Sequence, residues 1–268
     1  MRNWLPVFCG ALALGAAAPP PFVVLASTTS VENSGMLAHI LPVFTRETGI
    51  EVRVLSLGTG QALAVAAHGD ADLVLVHDPD AERAFIAAGH GVSTREMAWN
   101  DFVVVGPADD PAHVAGGHDA PVAFAAIRKA EVPFVSRGDK SGTDAQEKRL
   151  WRAASLDPAS FKGGWYREIG GGMGAALNAA AAMGAYTLAD RGTWLSFGNK
   201  GSLRIVIEGG GALINRYDVI TLNPNEHRAE ARDAAGRLAD WLLSPDGQAA
   251  IGGYQVAGEQ LFHPGAAP

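Results

Sequence analysis

Cysteine is nearly absent. Cys9 is the single one in 268 residues, so everything after it is without disulfides, cysteine catalysis or thiolate metal sites. An excess of positive charge is also missing: 21 Lys and Arg stand against 28 Asp and Glu, a formal net charge of -7. That argues against a nucleic acid or an anionic membrane surface as partner. It leaves a small anionic ligand open, because local donors outweigh global charge at contact distance. The eight histidines include no His-x-x-x-His and no His-Glu-x-x-His, so no metal-site spacing is present. No Gly-x-Ser-x-Gly elbow occurs, and "GGGMG" at 170–174 lacks the Lys-Ser/Thr of a phosphate loop. After the first residues no apolar run approaches the ~20 residues that span a bilayer, which predicts a soluble mature chain.

What is present is a globular composition, 48% hydrophobic and 18% charged, long enough for one large or two modest cores. The first 18 residues carry one cation, a short apolar run from Leu5 to Leu14 and small residues after it. This predicts a secretory signal peptide cleaved near Ala16–Ala18, and hence a periplasmic protein. Val7-Phe8 before Cys9 disfavours a lipid anchor.

Apolar strands then alternate with helical patterns. "FVVLAS" (22–27), "EVRVLSLG" (51–58), "ADLVLVH" (71–77) and "FVVVG" (102–106) read as strands, each of the first three followed by a helix. Pro42 conflicts with the first helix and should bend it or shift its start. Thr59 is expected to cap the second, and Asp78-Pro79 the third. After 107 come helices near 122–130, 144–155, 173–183 and 191–197, with strands at 133–136, 165–169 and 185–188. Strands at 203–209 and 217–222 and a helix over 226–243 follow. The alternation predicts mainly parallel sheets covered by helices. The Pro-, Gly- and Asp-rich stretch 106–121 marks a boundary. The expected division is 22–106 plus 201–268 as lobe I and 107–200 as lobe II.

Chemistry is expected where strands run into helices. "STTS" (27–30), "GTGQ" (58–61), "SGT" (141–143), "GGGMG" (170–174) and "YTLADRGT" (186–193) place small hydrogen-bond donors there. The first N–H groups of a helix have no partner within it and face an anion with the positive end of the dipole. Open parallel sheets bind ligands at this end. The stretch "VSRGDKSGTDAQEKRLW" (135–151) also contains Arg-Gly-Asp, an adhesion tripeptide, and Asp139-Lys140-Ser141-Gly142-Thr143, which looks like a pump's phosphorylated-aspartate motif. The first needs an exposed loop, and the second needs membrane spans and a different continuation. An aspartyl-phosphate enzyme using Asp139 is the reading from another class. The anion cradle accounts best for the stretch: Thr143 with Gln146 forms a capping box, and Arg137 can bring a cation to the same spot. A structural ion pair with Asp139, or with Asp190 further on, is the alternative for that arginine.

Seven segments in order, "LASTTSVENSG", "VLSLGTGQAL", "GDADLVLVHDPDAE", "NDFVVVGP", "SRGDKSGTDAQEKRLW", "WYREIGGGMGAAL" and "AYTLADRGTWLSF", resemble the tungstate-binding substrate receptors of bacterial ABC transporters. The likeness covers residues 23 to about 225, and "WLLSPDGQAAIGGY" looks like the closing helices of two-lobed receptors. The resemblance implies an α/β fold of the class II periplasmic binding-protein type, with a ligand cleft between two lobes. It implies binding without catalysis or cofactor, with tungstate as the anion and phosphate or molybdate as the alternative. It implies delivery to a membrane permease and its ATPase by a receptor expected to be a monomer. Carried over residue by residue, the ligand contacts are Ser27, Thr28 and Thr29, then Arg137, Ser141, Gly142 and Thr143. Thr59 and Gly60 are added to them, and Met173, Gly174 and Thr187 are weaker carry-overs. Lys140 stands where such sequences often carry an acidic or polar residue, and "STTS" replaces a run of threonines.

Overall fold

The computed structural model describes residues 21–161, 164–225 and 231–268. The expected leader and the first part of the helix expected over 226–243 lie outside the described residues. In chain order the strands are β1 (Phe22–Thr28), β2 (Glu51–Leu57), β3 (Leu73–Val76), β4 (Gly91–Pro107), β5 (Phe134–Ser136), β6 (Tyr166–Glu168), β7 (Thr187–Asp190), β8 (Leu203–Ile207), β9 (Ile214–Leu222), β10 (Gln255–Val256), β11 (Glu259–Gln260) and β12 (His263–Pro264). The helices are α1 (Thr29–Asn33), α2 (Met36–Thr48), α3 (Thr59–Ala67), α4 (Pro79–Ala87), α5 (Ala120–Ala130), α6 (Gly142–Ala153), α7 (Met173–Met183), α8 (Arg191–Ser196), α9 (Arg232–Leu243) and α10 (Pro245–Gly252).

The apolar strands β1, β2 and β3 pair in parallel, as their crossover helices require. Two long strands then break that direction. β4 and β9 run antiparallel to each other from Gly91–Leu222 to Asp101–Ile214, and β9 also runs antiparallel to β3. Past Asp101, β4 leaves β9 and pairs with β7 and β8 instead. The chain therefore crosses between its halves on β4 and returns on β9. The expected parallel pairing holds for β1–β3 and for β5 with β6, while the crossing strands are antiparallel.

Four apolar clusters follow this division. Two are built from Val23 to Ala98 and from Tyr217 to Phe262. The other two are built from Phe102 to Leu213. Residues 203–213, expected with lobe I, thus pack in the second half: Leu203, Val206, Ile207 and Leu213 join the clusters of Phe124, Trp151 and Trp194. The reason is β8, whose apolar residues reach cover only by pairing with the far end of β4.

Two local expectations also shift. α2 runs unbroken through Pro42, whose ring sits on the exposed side, where water can reach the carbonyl that loses its partner. α6 is capped by Ser141, whose hydroxyl accepts from Asp144 N–H, not by Thr143, which lies inside the first turn. Likewise Gly58 precedes α3, with its N–H on Gln61 Oε1, so Thr59 is the first helical residue. Both threonine hydroxyls are thereby released from capping.

Candidate oxyanion site

The register of the parallel strands sets one side of the site. Thr28 is level with Leu57 and Ser27 with Leu75, so Thr28, the Gly58-Thr59 turn and His77 form one row at the strand ends. Ser27 is fully buried and its hydroxyl donates to Leu75 C=O at 3.0 Å, so its hydrogen is used inside the sheet. Thr28 is buried, and its Oγ1 accepts from Val31 N–H at 3.2 Å, which leaves the hydroxyl hydrogen to donate elsewhere. Thr29 is exposed. Thr59 Oγ1 is buried without a hydrogen-bond partner among the described residues, a state that costs free energy unless a ligand or water meets it. Gly60, one residue on, is exposed.

The other side is the loop from β5 to α6. Arg137 is buried at 7% exposure, with Nε and Nη2 on Asp139 Oδ2 at 3.1 and 2.5 Å and Nη1 on Thr143 Oγ1 at 3.2 Å. Three of its five N–H groups are so engaged, and two remain. Burial opposes charge on Asp139, yet the hydrogen bonds from Ser141 and the Arg137 guanidinium overcome it and hold the carboxyl below its usual range. Asp144 folds the same loop from below, accepting from Gly138 N–H and Lys140 N–H at 3.1 and 3.2 Å and from Lys148 Nζ at 2.9 Å. Gly138 and Lys140 both have positive φ, +60° and +59°, and a Cβ on Gly138 would lie 2.7 Å from Glu168 Cβ. Lys140 itself is exposed. The loop is thus held by its own carboxylates, and Arg137 does pair with Asp139 while two of its N–H groups stay uncommitted.

Thr143 Oγ1 accepts from Arg137, which, as at Thr28, leaves the hydroxyl hydrogen to donate elsewhere. Gly171 N–H donates to Arg137 C=O at 3.1 Å, which ties the "GGGMG" turn to the same corner. Met173 itself packs in a core cluster with Val135, and Gly174 is exposed. Thr187 lies deeper: the Phe134–Tyr186 bridge puts it level with Val135, and its hydroxyl faces Leu188 C=O at 3.5 Å. The strand register therefore does not bring Thr187 to the edge that carries Arg137.

The two sides meet at a residue with no earlier role. The His77 ring lies on Gly142, where an added Cβ would stand 2.4 Å from Cε1. His77 Nδ1 is 3.2 Å from Asn215 Oδ1, and Asn215 Nδ2 reaches Asn100 Oδ1 and Tyr217 Oη at 2.9 and 2.7 Å. With both amide hydrogens used, Asn215 Oδ1 accepts, so Nδ1 carries the imidazole hydrogen and Nε2 a buried, unpartnered lone pair. Burial lowers the His77 pKa and keeps the ring neutral, with the Asn215 bond acting the other way. The His77–Gly142 contact spans 65 residues of sequence and joins the end of β3 to the start of α6, so no local sequence signal reveals it.

The two sides that touch at His77 and Gly142 thus offer these candidate donors: the hydroxyl hydrogens of Thr28, Thr59 and Thr143 and two N–H groups of Arg137. Such a set suits a small oxyanion that carries no proton.

Known proteins carry the same chain pattern. The family model described as "PBP superfamily domain" matches residues 15–246. The tungstate-binding protein TupA of Peptoclostridium acidaminophilum is 41% identical over 249 residues, 91% of this chain and 86% of that one. The structure of the tungstate-binding protein TupA from Desulfovibrio alaskensis G20 superposes with a TM-score of 0.83 at 40% identity, covering 92% of this chain and all of that one. The tungstate ABC transporter structure from Geobacter sulfurreducens gives 0.77 at 40% identity, over 87% and 98%.

Proposed function

This chain belongs to the PBP superfamily and, within it, to the tungstate receptors of ABC transporters; on that premise we propose that it captures tungstate between its lobes and hands it to a membrane permease. The observation that carries the reading is the buried Arg137, bonded to Thr143 and Asp139 with two N–H groups uncommitted. Thr28, Thr59, Arg137 and Thr143 make the direct contacts, and the N–H groups at the start of α6 and α3 add to them. Ser27, Thr29, Met173, Gly174 and Thr187 stand behind or beside the site.

Tungstate is a tetrahedral dianion without a proton at neutral pH, so it accepts hydrogen bonds only. A hydrogen bond to a charged group contributes roughly 1.5–3 kcal/mol net. Five such donors reach the order of the ~12 kcal/mol that corresponds to nanomolar binding. Donors on both lobes favour the closed form, since the anion touches both sets only when they meet. Monohydrogen phosphate would need an acceptor: both Asp139 oxygens are committed, Oδ2 to Arg137 and Oδ1 to Ser141 N–H, which leaves the lone pair of His77 Nε2 to serve it. Molybdate shares tungstate's size and charge and is expected to bind as well.

The receptor would act outside the cytoplasm, its first 18 residues serving for export, and the permease with its ATPase would read the closed surface. No helix among the described residues is long and apolar enough to cross a membrane. Calorimetric titration with tungstate, molybdate, sulfate and phosphate tests the reading. Submicromolar binding of the two metalates and weak binding of the others is the expected pattern. Preference for phosphate, or no binding at all, would overturn it.

A further inference from the structure

We infer that α6 and the turn between β3 and α4 form a latch across the cleft, in which Arg149 is a positioning residue that sets the lifetime of the closed state. The inference rests on the oxyanion reading above for its ligand, but its geometry is independent of which anion binds. Arg149, on the second half, places Nη1 3.0 Å from Asp78 Oδ1 and 3.6 Å from Asp80 Oδ2, both on the first half. The Arg149 and Asp78 side chains are 28% and 13% exposed, so the pair is partly withdrawn from water. Asp78 is itself held in place as the cap of α4, its Oδ1 accepting from Asp80 N–H and Ala81 N–H. Arg149 is aimed from its own side: Nε donates to Gln146 Oε1 at 2.9 Å, and Gln146 Nε2 donates to Ala212 C=O at 2.7 Å.

The second part of the latch is steric. About two turns before Arg149 on α6, Gly142 lies under the His77 ring, and no Cβ fits between them. His77 cannot swing aside without breaking the Asn215 bond, which connects through Asn100 and Tyr217 to the crossing strands β4 and β9. An ion pair and a bare backbone patch therefore dock the same helix onto the same turn, on either side of the His77–Asp78 step. Neither the ion pair nor the ring contact can persist if the lobes part. Anion release requires that parting, so the latch acts on the off-rate.

The test uses Arg149→Met, Asp78→Asn, their double variant and Gly142→Ala, with tungstate as the probe. Asp78→Asn keeps an oxygen for the α4 cap. For Arg149→Met, tungstate release is expected to quicken about five- to tenfold with the association rate little changed, the size of a partly desolvated ion pair. The double variant should lose no more than the worse single one. Gly142→Ala should quicken release further by holding the cleft ajar.

Spin labels at Val92→Cys and Val122→Cys, 56% and 64% exposed and one on each half, in a Cys9→Ser background, report the distance between the lobes. The short-distance population should shrink in Arg149→Met and Gly142→Ala. Should tungstate fail to bind at all, the function reading falls while the label distances still decide the latch. Unchanged release and unchanged distances in both variants would overturn it, and so would independent, additive losses for Arg149→Met and Asp78→Asn.

Discussion

In the proposed site the first lobe offers hydroxyl groups and a neutral imidazole, whereas the second offers a guanidinium already bound to a carboxylate. Thr28 and Thr59 stand at the ends of parallel strands, placed by sheet register alone. Arg137 stands in a loop of its own design, in which Asp139 and Asp144 take hydrogen bonds from Arg137, Gly138, Lys140 and Ser141. The contrast assigns different work to the halves. The second lobe holds a preformed charged cradle that needs no partner lobe to keep its shape. The first lobe contributes donors that are useful only once the two come together. An anion should therefore dwell first on the second lobe and be sealed by the first.

Unequal losses would expose this division most directly. Arg137→Ala removes the cation and two direct donors, and leaves Asp139 without its counter-charge. A loss of tungstate affinity of about 100-fold or more is expected, near 3 kcal/mol. Thr59→Val removes a single hydroxyl of similar shape, and about tenfold is expected. Calorimetry on the two variants checks the ranking, and equal losses would mean that charge is not concentrated on the second side. Kinetics sharpen it: Arg137→Ala should slow capture as well as speed release, while Thr59→Val should act on release alone.

A second pair of residues extends the comparison from binding to stability, for among the described residues each half buries one glutamate. In the first, Glu82 accepts from Asp78 N–H at 2.9 Å and shares a hydrogen bond with Asp218. Burial, reinforced by the Asp218 charge, pushes its pKa up to about 8 from 4.5. The folded protein then keeps the proton where the unfolded chain loses it. This stability is fully present below pH 4.5 and is lost as pH rises through about 8. Glu82→Gln mimics the protonated acid and keeps an oxygen for Asp78 N–H. The variant should flatten the fall and be more stable by about 1–3 kcal/mol at pH 8, read as a shift of several degrees in the thermal midpoint. A variant whose midpoint follows the parent from pH 5 to 8 would remove Glu82 as the cause.

How much of this was legible beforehand differs by kind of interaction. The strands "FVVLAS" and "LVLV" and the helices between them could be read because continuous apolar runs and capping residues are local signals. The length of β4 could not, because "GVSTREMAWN" is a half-exposed, polar stretch that becomes a strand only by lying against β9. The same holds for 203–213, whose lobe is decided by pairing with the far end of β4. Arg137 and Thr143 could be singled out by type and spacing. Ser27 and Thr187 look equally suitable in sequence, and only the sheet shows their hydroxyls facing the Leu75 and Leu188 carbonyls. His77 and Arg149 escaped functional notice because their partners, Gly142 and Asp78, lie 65 and 71 residues away.

The smallest expected effect comes from the second lobe's own buried glutamate. Glu147 is 2% exposed and accepts at Oε1 from both Trp151 Nε1–H at 3.0 Å and Tyr166 O–H at 2.8 Å. Burial raises its pKa to about 7, less than for Glu82. The Ser136 hydroxyl and the hydrogen bonds from Tyr166 and Trp151 favour the carboxylate and partly offset the desolvation, whereas the Asp218 charge adds to the rise at Glu82. Its stabilising window accordingly closes sooner, full below pH 4.5 and lost as pH rises through about 7. In Glu147→Gln the amide oxygen can still accept from both donors, but a neutral acceptor holds them less strongly than a charged one. The gain at pH 8 should be at most about 1 kcal/mol, and below pH 5 the variant should be no more stable than the parent. Thermal midpoints at pH 5 and 8 for the two glutamine variants set the lobes side by side. A larger gain at Glu147 than at Glu82 would mean that the Trp151 and Tyr166 hydrogen bonds contribute little to holding the charge.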